Sequence, residues 1–272
     1  MTAPALFLLA HHDDEVFCAG RLRQALAAGA DVRLLWATAG GLAPAHRRLA
    51  EGARALRALG LPPGAGRDLA LPDQHAVEHV AEVATELVRL VDAVGDTAGD
   101  STRAEGHGGG REHATVYVAA YEGGHPDHDA VNAAAALTAR RRPGLRVVEY
   151  PLYRRGPFGL SVQASSPAAG TTPSAYDILP LAAADLTLRR ALARANASQL
   201  APSLLPLLAL AWLAGRGRAE PARPLPAHDY TRPPHDGRLL YELYTPWRFA
   251  RWTAALPTAA SHPGDPGPAA GG

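Results

Sequence analysis

The chain has a single cysteine, Cys18, and no lysine among its 272 residues. A chain with one cysteine cannot form an internal disulfide. The lack of disulfides is typical of a reducing compartment, so we expect a cytoplasmic protein. The net charge is +1, from 27 basic and 26 acidic residues. Without an excess of one sign, neither nucleic acid nor a charged membrane surface is predicted as a partner, and a small molecule with little charge is expected.

Long apolar runs are also missing. The run from Ala5 to Ala10 is too short for a signal peptide and lacks a basic leader. The most apolar later segment, Leu200 to Gly215, contains two prolines and is shorter than the roughly 20 residues that cross a bilayer. We therefore expect no membrane span.

Short apolar runs alternate with amphipathic segments through the first 155 residues. Continuous apolar runs are typical of strands buried on both faces, and spacings of three and four residues are typical of helices. This alternation predicts an α/β fold, with a mostly parallel sheet and helices on both faces. Strands are expected at 5–10, 31–41, 67–71, 115–121 and 145–153, and helices at 14–29, 45–59, 76–95, after 125, and at 182–200.

The remainder of the chain is less regular. We expect a single domain over 1–255, with a core at 1–155 and an irregular region at 156–255 that shapes the substrate pocket. Residues 96–112 are rich in glycine and almost free of apolar side chains, which predicts a flexible surface loop. The tail, 256–272, is predicted to be disordered.

Two polar clusters follow predicted strands directly. "HHDDE" begins at His11 after the first strand, and "EGGHPDH" runs from Glu122 to His128 after the strand at 115–121. Ligands of open parallel sheets bind at the carboxyl ends of the strands, so both clusters are expected at the same edge. Two imidazoles and a carboxylate around an open position are a common catalytic zinc or iron set, and a water bound there becomes a nucleophile at neutral pH.

The two clusters resemble known signatures. "AHHDDE" is similar to the AHPDDE motif, and "GGHPDHDAV" to the second metal-site motif, of the PIG-L/LmbE-like deacetylases. Arg48 and Glu51 match the R-x-x-E helix of that family, and "RANASQ", ending at Gln199, matches more weakly. The resemblance covers about the first 155 residues and implies a Rossmann-like three-layer α/β sandwich. It also implies removal of an acetyl group from an N-acetylglucosamine-type substrate by a metal-bound water.

The resemblance further implies roles for single residues. The metal, Zn²⁺ or alternatively Fe²⁺, would be held by His11, Asp14 and His128. Asp13 would act as general base, His125 would stabilise the oxyanion or act as acid, and Asp127 would orient His125. Arg48 and Tyr121 are expected to contact the substrate. His12 replaces the proline of the family motif, and it could be an additional ligand.

Other interpretations remain open at this stage. An aspartate that caps the following helix would explain one cluster alone, and an ion pair on a helix surface would explain Arg48 with Glu51. An amidase acting on a thiol-sugar conjugate would use the same chemistry. A two-metal phosphohydrolase with His-Asp pairs is another alternative. The metal ligands of that class usually lie on helices, whereas both polar clusters here follow predicted strands. A non-catalytic Rossmann-like binding module is disfavoured, because the first turn lacks G-x-G-x-x-G and carries acidic residues where a pyrophosphate would sit.

Overall fold

A computed structural model describes residues 2–97, 114–156, 159–164, 176–213 and 215–261. It contains a seven-stranded sheet with the strand order β3-β2-β1-β4-β5-β9-β8. The first five of these strands are parallel, and the last two run antiparallel to their neighbours. The strands of this sheet are β1 (Ala5–Leu9), β2 (Val32–Thr38), β3 (Gly66–Leu71), β4 (Thr115–Ala119), β5 (Arg146–Tyr150), β8 (Asp177–Pro180) and β9 (Ala219–Pro224). The predicted mostly parallel α/β fold is confirmed.

Two further strands form a separate hairpin, β6 (Tyr153–Gly156) and β7 (Gly159–Val162). The helices are α1 (Ala19–Ala27), α2 (Ala45–Ala58), α3 (Val80–Thr97), α4 (Pro126–Arg141), α5 (Ala183–Ala195), α6 (Ala197–Gln199), α7 (Leu205–Leu213), α8 (Phe249–Ala255) and α9 (Thr258–Ser261). Helices α3 and α4 pack against each other, while α1 and α2 both pack against α5. No helix in the described ranges is long and apolar enough to cross a membrane.

The central strands are buried because their residues are apolar in continuous runs. All five residues of β1, ALFLL, are buried, and the sheet covers this strand on both edges with β2 and β4. Its register pairs Leu8 with Leu35 on one side and with Val118 on the other. Since β1 and β4 end at the same level, the residues that follow them emerge next to each other.

The first predicted helix begins later than expected. Asp14–Cys18 forms a 3₁₀ segment, and the α-helix starts only at Ala19. The residue before this segment, Asp13, has a φ of 115°, in a region that non-glycine residues seldom adopt. The chain therefore turns sharply after β1 before the helix can begin.

Two predictions about the second half of the chain need correction. The region expected to be irregular, 156–255, contributes two strands to the main sheet, since β9 pairs with β5 and β8. The tail also begins later than position 256, because Leu256 and Ala260 are buried and α9 runs from Thr258 to Ser261. Residues 262–272 and most of the predicted loop, 98–112, lie outside the described residues, while positions 96 and 97 belong to α3.

Candidate metal centre

The candidate site lies where β1 and β4 end, which is the point at which the strand order reverses. From β1 the chain proceeds outward to β2 and β3, and then returns to β4 and β5 on the other side. Crevices at such a reversal are the usual binding sites of open parallel sheets. The segment after β1 contributes His11 to Asp14, and the segment after β4 contributes His125 to His128 at the start of α4.

His11, Asp14 and His128 form a compact group of possible metal ligands. One donor atom from each lies within 4.8 Å of the others, and all three residues are buried. Nε2 of His128 is 3.2 Å from Oδ1 of Asp14. The other Asp14 oxygen, Oδ2, accepts the backbone N–H groups of Ala10 and His11, both at 2.9 Å. Burial opposes ionisation of Asp14, but the charges of His128 and His11 hold its pKa well below the usual range.

His11 directs its two ring nitrogens toward different carboxylates. Nδ1 lies 3.9 Å from Oδ2 of Asp14, and Nε2 lies 3.2 Å from Oδ2 of Asp127. The Asp127 carboxylate also accepts the backbone N–H groups of Gln74, at 2.7 Å, and Ala76, at 2.9 Å. Histidines that bind metal commonly point their second nitrogen at a carboxylate in this way. The three donors and this support fit a transition-metal ion.

His125 is held mainly by backbone. The N–H of Asp127 donates to Nδ1 of His125 at 3.2 Å, so a neutral His125 carries its proton on Nε2. Burial and the charge of His11 lower the pKa of His125 to about 3, which keeps the ring neutral. The Asp127 carboxylate is closer to His11 than to Nδ1 of His125, at 3.2 Å against 3.9 Å. The Asp127 carboxylate thus lies nearer to His11, whereas the family resemblance implied that it orients His125.

Asp13 belongs to neither group of possible ligands. Its Oδ1 lies 3.2 Å from Nη2 of Arg48, and its backbone N–H donates to Glu15 at 2.9 Å. Burial and the charge of Asp14 raise the pKa of the Asp13 carboxyl well above its ordinary value, with Arg48 acting in the opposite direction. A carboxylate that lies beside the possible metal ligands, and is not one of them, is available to accept a proton.

Arg48 is 1% exposed, and the protein uses all of its guanidinium nitrogens. Nε donates to the carbonyl of Ala39 at 3.0 Å, Nη1 to Glu51 at 2.6 Å, and Nη2 to the carbonyl of His12. Glu51 in turn accepts the hydroxyl and the backbone N–H of Ser198, in the RANASQ segment. Arg48 therefore stabilises the turn after β1 through its bond to the carbonyl of His12. A bond from it to substrate would require one of these contacts to break, and its predicted substrate role stays a prediction.

Tyr121 is also buried, at 6% exposure, and its hydroxyl donates to the carbonyl of Arg232 at 2.7 Å. Its ring packs edge-on against His228 and Tyr230. Its substrate role stays a prediction too. His228 is buried as well, with Nε2 2.8 Å from Oε2 of Glu149.

His12 points away from the candidate metal group. Its ring stacks on Trp36 with centroids 4.6 Å apart, and Nε2 bonds to the carboxylate of Asp68. A side chain on Gly52, in α2, would overlap this ring. The residue that replaces the family proline is thus part of the packing between α2 and the strands β2 and β3.

The site includes residues that the sequence motifs do not contain. Oδ1 of Asp73, just after β3, lies 3.5 Å from Nε2 of His11, and His11 lowers the Asp73 pKa to about 2 although burial opposes it. Asp73 joins His11, His125 and Asp127 in a second group of possible ligands. Its position after a strand end was a usable signal. No sequence signal indicated Tyr244. Its hydroxyl donates to the carbonyl of Gly124 at 2.8 Å, and its ring lies 6.2 Å from that of His125.

Another part of the chain passes very close to the two glycines of the second motif, Gly123 and Gly124. Gly123 has a φ of 70°, in the left-handed region that glycine tolerates. A Cβ on Gly124 would overlap the carbonyl oxygen of Tyr153, and the ring of Tyr153 is 5.4 Å from that of His128. The turn therefore brings β6 against the candidate site, as only glycine allows.

Comparison with protein families agrees with the motifs. Residues 6–139 match the sequence model of PIG-L, described as GlcNAc-PI de-N-acetylase. The segment contains both metal-site motifs. This match confirms the family resemblance that the sequence predicted. No curated protein matches the chain.

Several solved structures have a similar fold. A deacetylase of teicoplanin biosynthesis, in complex with teicoplanin, is 19% identical with a TM-score of 0.57, over 82% of this chain and 97% of that one. The same kind of enzyme has been solved in a zinc-inhibited form, at 19% identity, a TM-score of 0.56 and the same coverage. The N,N'-diacetylchitobiose deacetylase of Pyrococcus horikoshii is 18% identical with a TM-score of 0.51, over 90% of this chain and 87% of that one. This likeness establishes the fold.

Proposed function

We propose that this protein is a metal-dependent hydrolase that removes the acetyl group from an N-acetylated amino sugar. The observation that carries the proposal is the convergence of His11, Asp14 and His128, with Asp13 beside them and outside the ligand group. The match of residues 6–139 to a family model described as a de-N-acetylase, and the fold shared with deacetylases, support the same reaction. The bound ion would polarise the acetyl carbonyl and the attacking water.

The protein's own groups would handle the protons. Asp13 accepts the proton of the water as its oxygen bonds to the acetyl carbon. His125, neutral and protonated on Nε2, donates a hydrogen bond to the oxyanion that develops at the acetyl oxygen. The carbon–nitrogen bond then breaks, and the amine nitrogen takes the proton held by Asp13. The second proton of the water passes from the new carboxyl group to the amine, so acetate and the protonated amine leave.

The carboxylate of Asp127 would keep His11 in its orientation as a ligand. Anchored by two backbone N–H groups, it is positioned before any metal arrives. Residues in this outer position typically affect metal affinity or activity about 10–100-fold. Arg48 would act in a similar way on the turn that carries Asp13.

The proposal is tested by acetate release from a panel of N-acetylglucosaminides with varied aglycones. The protein is stripped with chelator and reloaded with Zn²⁺ or Fe²⁺, from below one equivalent to an excess, since a relative has a zinc-inhibited form. We expect acetate only after reloading. No bound metal and no acetate from any substrate would favour a binding module. Release of a carboxylate other than acetate from a thiol-sugar conjugate would favour the amidase.

Variants separate the roles of the residues. Asp13→Asn should retain one metal ion per chain and lose about 10²–10⁴-fold in kcat, which is the usual contribution of a general base. His128→Ala should lose the metal itself. Asp92→Asn, at an exposed carboxylate paired with Arg142, is the matched control and should leave both unchanged. Equal activity in Asp13→Asn would contradict the general-base assignment.

A further inference from the structure

Helix α7 is apolar along its whole length and yet lies at the surface. Its sequence is LPLLALAWL, and Leu205, Leu210 and Trp212 are 53%, 38% and 53% exposed. A helix without a polar face is normally buried in protein or in lipid. Exposed apolar patches of this kind usually mark a contact with a partner.

The exposed helix forms one wall of a groove. This α5–α7 groove has a volume of about 280 Å³ and lies between α5 and the segment from Leu200 through α7. Its apolar lining consists of Leu186, Ala193, Leu200, Leu205, Leu208 and Trp212. The site already described lies elsewhere, at the ends of β1 and β4, so the groove is a separate feature of the molecule.

Arginines border the same groove. Arg190 and Arg194 line it, and the guanidinium of Arg218 lies 5.0 Å above the ring of Trp212. Positions 181–220 hold five arginines and two acidic residues, Asp185 and Glu220, although the whole chain has a net charge of only +1, and Glu220 pairs with the buried Arg189. Asp185 is paired with Arg23 on α1. The groove therefore combines an apolar floor with a positive border.

The chain itself offers little that could cover this surface. Outside the described ranges the sequence contains only two large apolar residues, Met1 and Phe158. A two-fold dimer through this face would place the same patch on both copies, and the arginines of each copy would face those of the other. An external partner that is both apolar and anionic fits better.

We propose that the α5–α7 groove and the exposed face of α7 dock this protein onto an anionic lipid bilayer. Leu205 and Trp212 enter the boundary between headgroups and acyl chains, and the arginines contact lipid phosphates. Exposed leucine and tryptophan beside arginine are typical of segments that lie in the membrane interface. The attachment is peripheral, and each arginine contributes about fivefold to membrane affinity at low salt.

Tryptophan fluorescence reports directly on this face. The other three tryptophans, Trp36, Trp247 and Trp252, are at most 2% exposed, so Trp212 is the one that bilayer contact can change. The full chain is mixed with vesicles of phosphatidylcholine alone or with one third phosphatidylglycerol, in 50 mM and 500 mM salt. We expect a blue shift, quenching by brominated acyl chains and co-sedimentation only with the anionic vesicles, and weaker in high salt.

Substitutions assign the binding to this surface. The double variant Arg190→Ser with Arg194→Ser should bind anionic vesicles about 25-fold more weakly, as expected for two arginines. Leu205→Ser should also weaken binding. Arg89→Ser and Leu49→Ser, at an exposed arginine and an exposed leucine of α3 and α2, are the matched controls and should bind like the unaltered protein. Circular dichroism and melting temperatures establish that each variant is folded.

Three results would overturn the proposal. The first is the absence of both co-sedimentation and a fluorescence change with anionic vesicles. The second is unchanged binding by the folded double-arginine variant. The third is self-association without lipid, seen by sedimentation velocity and abolished by Leu205→Ser, which would make this face an interface between copies of the chain.

Discussion

The contact between His12 and Gly52 allows a prediction in which the effect of one substitution changes sign. The His12 ring fills the space above Gly52, stacks on Trp36 and bonds to Asp68. Glycine inside α2 costs stability relative to alanine, by about 1 kcal/mol. If Gly52 is retained because of His12, then Gly52→Ala should be harmful with His12 present and helpful without it.

The magnitudes follow from the contacts. Gly52→Ala forces the buried imidazole to move, and overpacking of this kind costs about 1–3 kcal/mol. After the gain of about 1 kcal/mol in helix propensity, the free energy of unfolding should fall by up to about 2 kcal/mol. His12→Ala loses a hydrogen bond to a charged group, about 1.5–3 kcal/mol, and a stacked pair, about 0.5–1.5 kcal/mol. In that background, Gly52→Ala should raise the free energy of unfolding by about 1 kcal/mol.

The assay is a double-mutant cycle by urea unfolding at pH 7, with melting temperatures as a second readout. A change of 1 kcal/mol shifts the melting temperature by about 2–4 °C in a protein of this size. The metal content of His12→Ala is measured in parallel, and we expect it to be unchanged because His12 lies outside both groups of possible ligands. Equal effects of Gly52→Ala in both backgrounds would refute this reasoning, and loss of metal from His12→Ala would make His12 part of the site.

Three further predictions concern buried residues. Arg48→Lys keeps the charge but cannot maintain all contacts of the guanidinium, so kcat should fall about 10–100-fold; steady-state kinetics showing a raised KM with kcat unchanged would instead indicate substrate binding. Burial opposes ionisation of Glu149, but His228 and the arginine paired with Glu149 hold its pKa below the ordinary value of 4.5. Glu149→Gln should therefore cost about 3–5 kcal/mol at pH 7, and urea titrations should show the difference shrinking as the pH falls below 4.5; a constant difference would contradict the assignment. Gly124→Ala overlaps the carbonyl oxygen of Tyr153, and calorimetry should show a lower melting temperature together with loss of activity, whereas an unchanged protein would mean that the turn is not constrained.

The class of fold and the place of the candidate site could be predicted from the sequence. Strands and helices alternate with clear periodicity, and polar clusters follow two of the strands directly. Parallel strands end at a common edge, so His11 and His128 had to approach each other once β1 and β4 were neighbours. Local pattern and a general rule of sheet topology were sufficient here.

The partners of individual side chains could not be predicted in this way. The same Arg48 could have pointed into solvent or to a substrate, and its burial depends on the turn after β1 and on Ser198, 150 residues away. The strand at 219–224 contains prolines that locally disfavour a sheet, and its pairing with β5 is a long-range contact. Tyr244 reaches the site only through the path of the chain after β9.

Burial explains the difference between these two groups of results. Periodicity records which residues are apolar, and this constrains secondary structure and the order of layers. It does not record which buried polar groups bond to each other, because each has many possible partners of the same chemical type. His12 illustrates this: the sequence identifies it as a departure from the family motif, and only the packing of α2 over β2 and β3 directs it to Trp36 and Asp68, away from the metal group.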